Sequence, residues 1–344
     1  MPASAAKRLL DERQAATQLL AHYDRHARSL PWRSAPGVAP DPYAVWLSEV
    51  MLQQTTVATV KPRFRRFLER WPTVEALAAA ADEQVLQEWA GLGYYARARN
   101  LVACARAVAG RGGFPRTEAG LLKLPGLGAY TAAAIAAIAF GEKAVVVDTN
   151  VARVIARLHG IDRTLDEARA DIRSFAGEMT PVDRPGDFAQ AMMDLGATIC
   201  RPKRPLCSEC PLAPGCSAYA SGDPEAYPAP KVRRERPHRH GIAWWMERDG
   251  AIWLVRRPAK GMLGGMAALP GDEWGNEKAA VPALATVSHG FTHFTLDLHI
   301  VSRASPPNGE GWWHPLDRIG EAGLPTLYAR AVEAVLARKE SLAA

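Results

Sequence analysis

Glu49 is a carboxylic acid placed among apolar neighbours. A helix is predicted from residue 43 to about residue 53, where Val45, Trp46 and Leu52 occupy the i−4, i−3 and i+3 positions around Glu49. A carboxyl group that is removed from water is harder to ionise, so its pKa rises and it can hold a proton near neutral pH. The residues therefore predict a general acid. The alternative is a glutamate on a solvated helix face, although this segment has hardly any polar face.

Asp148 is a second candidate carboxylate, and its surroundings differ from those of Glu49. It follows the apolar run 144–147 and precedes a helix predicted to begin near Thr149. Aspartate is a preferred N-cap residue, so capping alone explains its position. An ionised Asp148 beside a protonated Glu49 would instead form the pair of opposite protonation states that two-carboxylate bond cleavage uses. Both interpretations of Asp148 remain open at this point.

The turn at residues 124–128, LPGLG, offers a binding site for the backbone of a nucleic acid. Pro125 ends one helix because it has no N–H, Gly126 and Gly128 permit backbone dihedrals that a side chain forbids, and residues 129–140 favour a new helix. The unpaired N–H groups at that helix N-terminus suit a phosphate oxygen and are indifferent to base sequence. The turn therefore predicts contact with nucleic acid.

Four of the five cysteines lie within residues 200–216. Cys200, Cys207, Cys210 and Cys216 have the spacing C-x6-C-x2-C-x5-C, whereas Cys104 lies alone in a helical stretch and is expected to be a buried apolar side chain. The chain is cytosolic in character and large enough not to need a disulfide framework. Four thiolates satisfy a tetrahedral zinc ion or an iron–sulfur cluster equally well.

Length and composition indicate the number of domains and the general class of protein. A chain of 344 residues predicts about two domains, and 48% hydrophobic with 23% charged residues is typical of globular proteins. The net charge of +6 is compatible with a polyanionic partner. No apolar run is long enough to span a membrane, and the first thirty residues lack a signal-type apolar core. We therefore expect a cytoplasmic protein, associated with the nucleoid if the source is bacterial, and we also expect a monomer.

The composition changes near Ser221. Residues 1–220 predict a mainly α-helical region, residues 221–237 a proline-rich linker, and residues 238–344 a smaller α+β domain with a hairpin at Asp249-Gly250. The basic residues in and just after the linker are Lys231, Arg233, Arg234, Arg236 and Arg239.

Several of these motifs together resemble one family. Residues 46–55, WLSEVMLQQT, and the LPGLG turn followed by Asp148 are similar to MutY-type adenine DNA glycosylases of the endonuclease III, or helix-hairpin-helix-GPD, superfamily. The resemblance implies that Glu49 protonates N7 of adenine, that Asp148 faces the sugar, and that Gln54 inserts into the duplex. It also implies that the adenine pocket is lined by Trp32, Arg33, Leu52 and Gln190.

The resemblance extends to the metal site and to the type of reaction. The 6-2-5 cysteine spacing resembles the superfamily's 4Fe-4S loop, which implies a structural cluster at residues 200–216. Bifunctional members have a lysine where this chain has Tyr130, so the resemblance implies base removal with little or no strand cleavage. Tyr130 and Asn150 would hold Asp148 and the attacking water.

Further contacts to DNA are expected beside the lesion and along the DNA backbone. Tyr94 lies in a glycine-loosened stretch with two arginines, which favours an aromatic wedge between bases, with core packing as the alternative. In the similar family this tyrosine intercalates beside the lesion, and Gly126 and Gly128 belong to the hairpin that holds the DNA backbone.

The C-terminal region resembles the Nudix-like domain of the same glycosylases. It lacks the Arg-Glu-x-x-Glu-Glu helix of Nudix hydrolases, which favours a reader over a pyrophosphatase. In the family a Phe-Ser-His triplet recognises 8-oxoguanine, and this chain has Phe291, Thr292 and His293. Threonine keeps the hydroxyl but adds a methyl group and stiffens χ1.

The expected function is hydrolysis of the N-glycosidic bond of adenine opposite 8-oxoguanine or guanine in double-stranded DNA. Asp148 would stabilise the oxocarbenium-like sugar electrostatically or capture it briefly. One alternative is a glycosylase with the same scaffold for another mismatched base, such as thymine or uracil. The other is a non-catalytic lesion-binding module in which Glu49 and Asp148 have structural roles.

Overall fold

The computed structural model describes residues 11–231, 236–258, 261–277, 281–307 and 309–343, and the chain divides into two compact units. One unit comprises Met1–Ala79 and Asn100–Val232, and the other comprises Ala80–Arg99 and Arg233–Ala344. Arg233 and Arg234, which the sequence places in the basic linker, lie outside the described residues. The domain boundaries predicted at residues 220 and 238 remain a proposal.

Helices dominate the N-terminal two thirds, and strands occur only after residue 237 in the described part of the chain. The helices are α1 (Glu12–His26), α2 (Pro42–Leu52), α3 (Val57–Arg70), α4 (Val74–Ala79), α5 (Asp82–Glu88), α6 (Ala96–Gly110), α7 (Glu118–Leu121), α8 (Ala129–Phe140), α9 (Thr149–His159), α10 (Arg169–Met179), α11 (Pro185–Thr198), α12 (Ser217–Ala220) and α13 (Thr326–Ala343). The predicted order, a helical region before a smaller α+β region, is confirmed. No helix in the described ranges is both long and apolar enough to cross a membrane.

Helix α8 is the central element of the first unit. Its residues 131–137 are buried, and it packs against α2 and α11. The approach of α11 is close, because a Cβ atom built on Gly186 would lie 2.5 Å from the carbonyl oxygen of Ala137. Only glycine permits this contact, which sets the position of the polar side chains that follow on α11.

The turn before α8 also depends on a glycine. Gly126 has φ +75°, and a Cβ there would lie 2.6 Å from Cβ of Asn100. Gly128 is the N-cap of α8 and provides no capping side chain, while Gly141 ends the helix in the left-handed conformation. The predicted helix, turn and helix are therefore present, with α8 starting at Ala129.

The second unit contains two small sheets. Its strands are β1 (His238–Trp245), β2 (Glu247–Arg248), β3 (Ala251–Arg256), β4 (Ala267–Ala268), β5 (Ala285–Gly290), β6 (Thr295–Ser302) and β7 (Trp312–Pro315). In one sheet β6 lies between β1, to which it is parallel, and β5, to which it is antiparallel. In the other sheet β3 pairs antiparallel with β2, β4 and β7. The Asp249-Gly250 hairpin joins β2 to β3, as predicted.

Alternating side chains form the core of the second unit. Leu296, Leu298 and Ile300, which occupy alternate positions of β6, are fully buried. Helix α13 packs against β5 and β6 and contributes Val332 and Val335 to the same core. Strand β6 therefore has one buried face and one polar face.

Candidate active site

A cavity of about 970 Å³ lies in the first unit, and it brings together residues from six helices and the loops between them. Nine residues that the sequence analysis selected line it. They are Trp32, Arg33, Glu49, Leu52, Gln54, Tyr130, Asp148, Asn150 and Gln190. Both candidate carboxylates thus line one open cleft that is large enough for a nucleobase.

Glu49 is buried on α2, with only 8% of its surface exposed. The pKa of its carboxyl group is raised to about 7, chiefly by burial and to a smaller extent by the negative charge of Asp148. A hydrogen bond from Tyr130 and the positive charge of Arg33 act in the opposite direction. Glu49 can therefore hold a proton near neutral pH, as its apolar neighbours predict.

Tyr130 occupies the second position of α8 and contacts Glu49. Burial, together with the nearby carboxylates of Glu49 and Asp148, raises the pKa of its hydroxyl well above the ordinary value. The phenol therefore remains a hydrogen-bond donor at any physiological pH. Among the described residues that line the cavity, none is a lysine.

Asp148 is the N-cap of α9, so the capping interpretation is confirmed. Its Oδ1 accepts a hydrogen bond from the backbone N–H of Val151 at 2.6 Å, and its Oδ2 accepts one from Nδ2 of Asn150 at 3.0 Å. Arg153 in turn donates to Oδ1 of Asn150 at 3.0 Å, which orients the amide. The helix dipole stabilises a negative charge at this position. Capping and a role in chemistry are therefore compatible, because the cap fixes a carboxylate that lines the cavity.

Asp194 is a buried residue of the site that the sequence analysis did not select. Its Oδ2 lies 2.6 Å from Nη1 of Arg33, and its Oδ1 lies 2.5 Å from Nε of Arg28. The Arg33 side chain is 7% exposed and that of Asp194 is 10% exposed. Asp194 thus holds Arg33 in place, while Trp32, at 7% exposure, makes an edge contact with Phe64.

Gln54 and Tyr94, the two residues expected to insert into DNA, share an uncommon backbone. Gln54 has φ +55° and Tyr94 has φ +47°, a region that non-glycine residues rarely adopt. Gln54 is exposed, and Tyr94 is 54% exposed, which argues against the core-packing alternative for Tyr94. Strain of this kind is often found at binding sites.

The four clustered cysteines surround one small space in the first unit. Cys200, Cys207, Cys210 and Cys216 line it together with the buried Arg157. The guanidinium of Arg157 lies 3.5 Å from Sγ of Cys200 and donates to the carbonyl oxygens of Arg201, Pro202 and Tyr227. Four cysteines that line one space beside a buried positive charge fit a negatively charged metal–thiolate centre.

The Phe291, Thr292 and His293 triplet lies in the second unit, in the tight turn before β6. The backbone N–H of Phe291 donates to the carbonyl of Phe294 at 2.9 Å, and this leaves Thr292 and His293 exposed. The Phe291 ring packs on Trp274, with 5.4 Å between centroids. The hydroxyls of Thr292 and Tyr94 lie 3.2 Å apart. This pairing of two expected DNA contacts is not apparent from the sequence.

Comparisons with known proteins agree with the two regions. Residues 47–176 match the HhH-GPD superfamily base excision DNA repair protein model, and residues 241–334 match the NUDIX domain model. Among solved structures, a thermostable thymine-DNA glycosylase is 30% identical with a TM-score of 0.54, covering 61% of this chain and 97% of that chain. A non-covalent endonuclease III–DNA complex is 26% identical with a TM-score of 0.51, covering 62% and 99%.

Two curated relatives are adenine DNA glycosylases. The human protein is 40% identical over 310 residues, which cover 74% of this chain and 57% of the human protein's length, less than two thirds. The protein of Mycolicibacterium smegmatis is 42% identical over 220 residues, which cover 63% of this chain and 73% of that relative. The chain therefore belongs to the adenine DNA glycosylase family, within the HhH-GPD superfamily of base excision DNA repair proteins.

Proposed function

We propose that this protein removes adenine from opposite 8-oxoguanine or guanine in duplex DNA by hydrolysing the N-glycosidic bond. The observation that carries the proposal is the buried Glu49, hydrogen-bonded to Tyr130 and facing the same cavity as Asp148. The family membership favours adenine as the base. The cavity is compatible with a flipped nucleotide, because enzymes that act on a base take it out of the stack.

The first chemical step is assigned to Glu49. With a pKa of about 7, it carries a proton in a substantial fraction of molecules at neutral pH. Transfer of that proton to N7 makes adenine a neutral leaving group, and the bond to C1′ breaks with oxocarbenium character on the deoxyribose. Trp32 and Arg33 supply an aromatic face and a forked donor for the base, and Asp194 keeps the guanidinium in place.

The second step is assigned to Asp148. Two hydrogen bonds fix its carboxylate at the N-terminus of α9, where its negative charge stabilises the positive charge that develops on the sugar. Water then adds to C1′ and gives up a proton to the carboxylate that Glu49 has become. Asn150 keeps one Asp148 oxygen oriented during both steps.

The product of this reaction is an abasic site in an intact strand. Strand cleavage by bifunctional glycosylases requires an amine that forms a Schiff base with the sugar. Tyr130 stands where such a lysine would be, and its hydroxyl stays protonated. We therefore propose a monofunctional hydrolase.

We also propose that Cys200, Cys207, Cys210 and Cys216 hold a 4Fe-4S cluster. The cluster would have a structural role, since four thiolates leave no open coordination position. Arg157 would offset its negative charge and tie the loop to α9 through three backbone carbonyls. Iron and sulfide analysis of the purified protein separates this cluster from a zinc ion.

The remaining DNA contacts are proposed from their positions. Gly126 and Gly128 would present backbone N–H groups to a phosphate, Gln54 and Tyr94 would insert between bases, and the turn with Thr292 would read 8-oxoguanine. Their exposure supports these roles. The second unit would then be a Nudix-like reader of the opposite base.

The proposal is tested with duplexes that carry one labelled adenine opposite 8-oxoguanine or guanine. We expect the labelled strand to break only after hot alkali treatment, and we expect Glu49→Gln to bind the duplex without excising the base. Glu178→Gln, an exposed glutamate on α10, is the matched control and should remain active. Breakage without alkali would exclude the monofunctional mechanism.

Two other outcomes would overturn the proposal. Excision of thymine or uracil from mismatches, with adenine untouched, would establish a glycosylase for another base. Binding without excision of any base by the unsubstituted protein would establish a lesion-binding module.

A further inference from the structure

Three histidines and an aspartate form a cluster on the polar face of the β1–β6 pair, and none of them has a role above. In the parallel register His240 lies beside Asp297, and His238 lies beside Thr295. Because side chains alternate along a strand, His238 and His240 share one face with Asp297 and His299. Two adjacent strands thus present nitrogen and oxygen donors side by side.

The distances within this cluster suit a metal ion. One donor atom from each of His238, His240 and Asp297 lies within 4.8 Å of the other two. Nε2 of His238 is 3.1 Å from Oδ2 of Asp297, and Nδ1 of His240 is 3.4 Å from Nε2 of His299. Zinc binds such atoms at roughly 2.0–2.2 Å. Small side-chain rotations that move each donor atom by about 1 Å would therefore bring the three donors to bonding distance of one ion.

Each member of the cluster is also oriented by a neighbouring group. Nδ1 of His238 lies 2.8 Å from the Thr295 hydroxyl, and Oδ1 of Asp297 accepts from Ser288 at 2.6 Å. When a hydroxyl accepts the Nδ1 proton, the Nε2 lone pair of a neutral imidazole is directed outward. Metal-binding histidines in proteins almost always have such a partner on the second nitrogen.

We propose that His238, His240 and Asp297 bind a divalent transition-metal ion of the zinc class. Two imidazoles and one carboxylate suit Zn²⁺, Co²⁺ or Ni²⁺ and leave a fourth position for water or a neighbouring side chain. His299, whose Nδ1 lies 3.0 Å from the Thr286 hydroxyl, orients His240. The ion would join β1 to β6 immediately after the turn that contains Thr292, and so hold the base of that turn.

Cobalt titration of the full-length protein tests this site. After dialysis against a chelating resin, we expect one equivalent of Co²⁺ to produce weak visible bands without the sulfur-to-cobalt charge-transfer band that the cysteines would give, and Zn²⁺ should displace it. His238→Ala should weaken binding by about tenfold or more. His314→Ala, a histidine of the same unit outside the cluster, is the matched control and should bind as the unsubstituted protein does.

Two results would overturn the proposal. One is an unsubstituted protein that shows no cobalt spectrum or only the sulfur band. The other is equal affinity in the unsubstituted protein and His238→Ala, which would reduce the cluster to an imidazole–carboxylate ion pair. Asp297→Asn, checked by circular dichroism for intact folding, provides a second variant: it removes the carboxylate charge, keeps the side-chain volume and should also weaken cobalt binding.

Discussion

At the scale of single residues, the site depends on a buried acid whose proton affinity is balanced by its neighbours. Burial and Asp148 favour the neutral form of Glu49, whereas Tyr130 and Arg33 favour the ionised form. The result is a pKa of about 7 instead of 4.5. An acid with this pKa can donate a proton at neutral pH and also recover one, as a catalyst that turns over requires.

Base excision should slow as the pH rises through about 7, because the reactive form has Glu49 protonated. Above that pH the single-turnover rate should fall by up to about tenfold per pH unit. The measurement is the excision rate from about pH 5 to about pH 9 at saturating protein. Duplex affinity over the same range is the control. A rate that does not change across pH 7 would rule out Glu49 as the acid.

The same burial predicts that Glu49→Gln stabilises the protein at alkaline pH. Well below pH 4.5 the carboxyl is protonated in both the folded and the unfolded chain, so its ionisation does not affect folding stability. As the pH rises from 4.5 to about 7, the unfolded chain ionises and the folded chain does not, so folding stability falls. Above pH 7 the full penalty is about 3 kcal/mol, which glutamine avoids.

Urea unfolding of both proteins at about pH 5 and about pH 8 measures this gain. The free energy of unfolding of Glu49→Gln should exceed that of the unsubstituted protein mainly at the higher pH. Glu178→Gln should show no such change. An equal gain at both pH values would mean that packing, and not ionisation, explains the difference.

At the scale of elements, local sequence patterns predicted where helices begin, but they did not predict which distant residues contact each other. The helix predicted from residue 43 is α2, which is capped by Asp41 and begins at Pro42. The N-cap preference of aspartate likewise locates the start of α9. Asp194 was missed because its partner Arg33 is 161 residues away, and no local spacing encodes that distance.

Pairings between distant segments escaped the sequence for the same reason. The parallel register of β1 and β6 joins residues 57 positions apart, so the histidine cluster is invisible in the sequence. The contact between Tyr94 and Thr292 spans 198 residues. The sequence motifs identified most residues of the site, whereas only the structure shows which side chains contact and orient those residues.

Gly186→Ala should damage the site through the packing of α11 against α8. The added Cβ would meet the Ala137 carbonyl oxygen at 2.5 Å, and backbone cannot move aside as a flexible side chain does. We expect a loss of about 1–3 kcal/mol in unfolding free energy. We also expect slower excision, because α11 carries Gln190 and Asp194. Urea unfolding and single-turnover rates provide the two measurements.

Gly177→Ala on α10 is the matched control, and it should have the opposite sign. Its Cβ would meet only Cγ2 of Val145, at 3.4 Å, which is ordinary contact. Alanine in a helix interior is favoured over glycine by about 0.5–1 kcal/mol, so this variant should gain stability. If both variants lost stability equally, close approach would not explain the glycine at 186.

At the scale of the whole molecule, the two units have different tasks in the proposed reaction. The first unit holds the four cysteines and also Glu49 and Asp148, to which the proposal assigns the two chemical steps. The second unit holds the exposed turn with Thr292, to which the proposal assigns no chemical step. Selectivity for the opposite base should therefore be separable from the excision step.

Thr292→Ala should reduce the preference for adenine opposite 8-oxoguanine over adenine opposite guanine. The hydroxyl is exposed and lies 3.2 Å from that of Tyr94, so its removal deletes a hydrogen-bonding group and leaves the buried core intact. One hydrogen bond is worth about 1 kcal/mol, which corresponds to a loss of about fivefold in the affinity ratio. The ratio is measured by binding both duplexes to the Glu49→Gln protein, with and without Thr292→Ala.

Thr292→Ser distinguishes the hydroxyl from the methyl group in this preference. Serine keeps the donor and acceptor but removes the methyl group that restricts χ1, so the ratio should be maintained or should rise. Excision of adenine opposite guanine should be the same in both Thr292 variants, because the carboxylates lie in the other unit. Equal loss of preference in the serine and alanine variants would mean that the threonine methyl group, and not its hydroxyl, makes the contact that distinguishes the two bases.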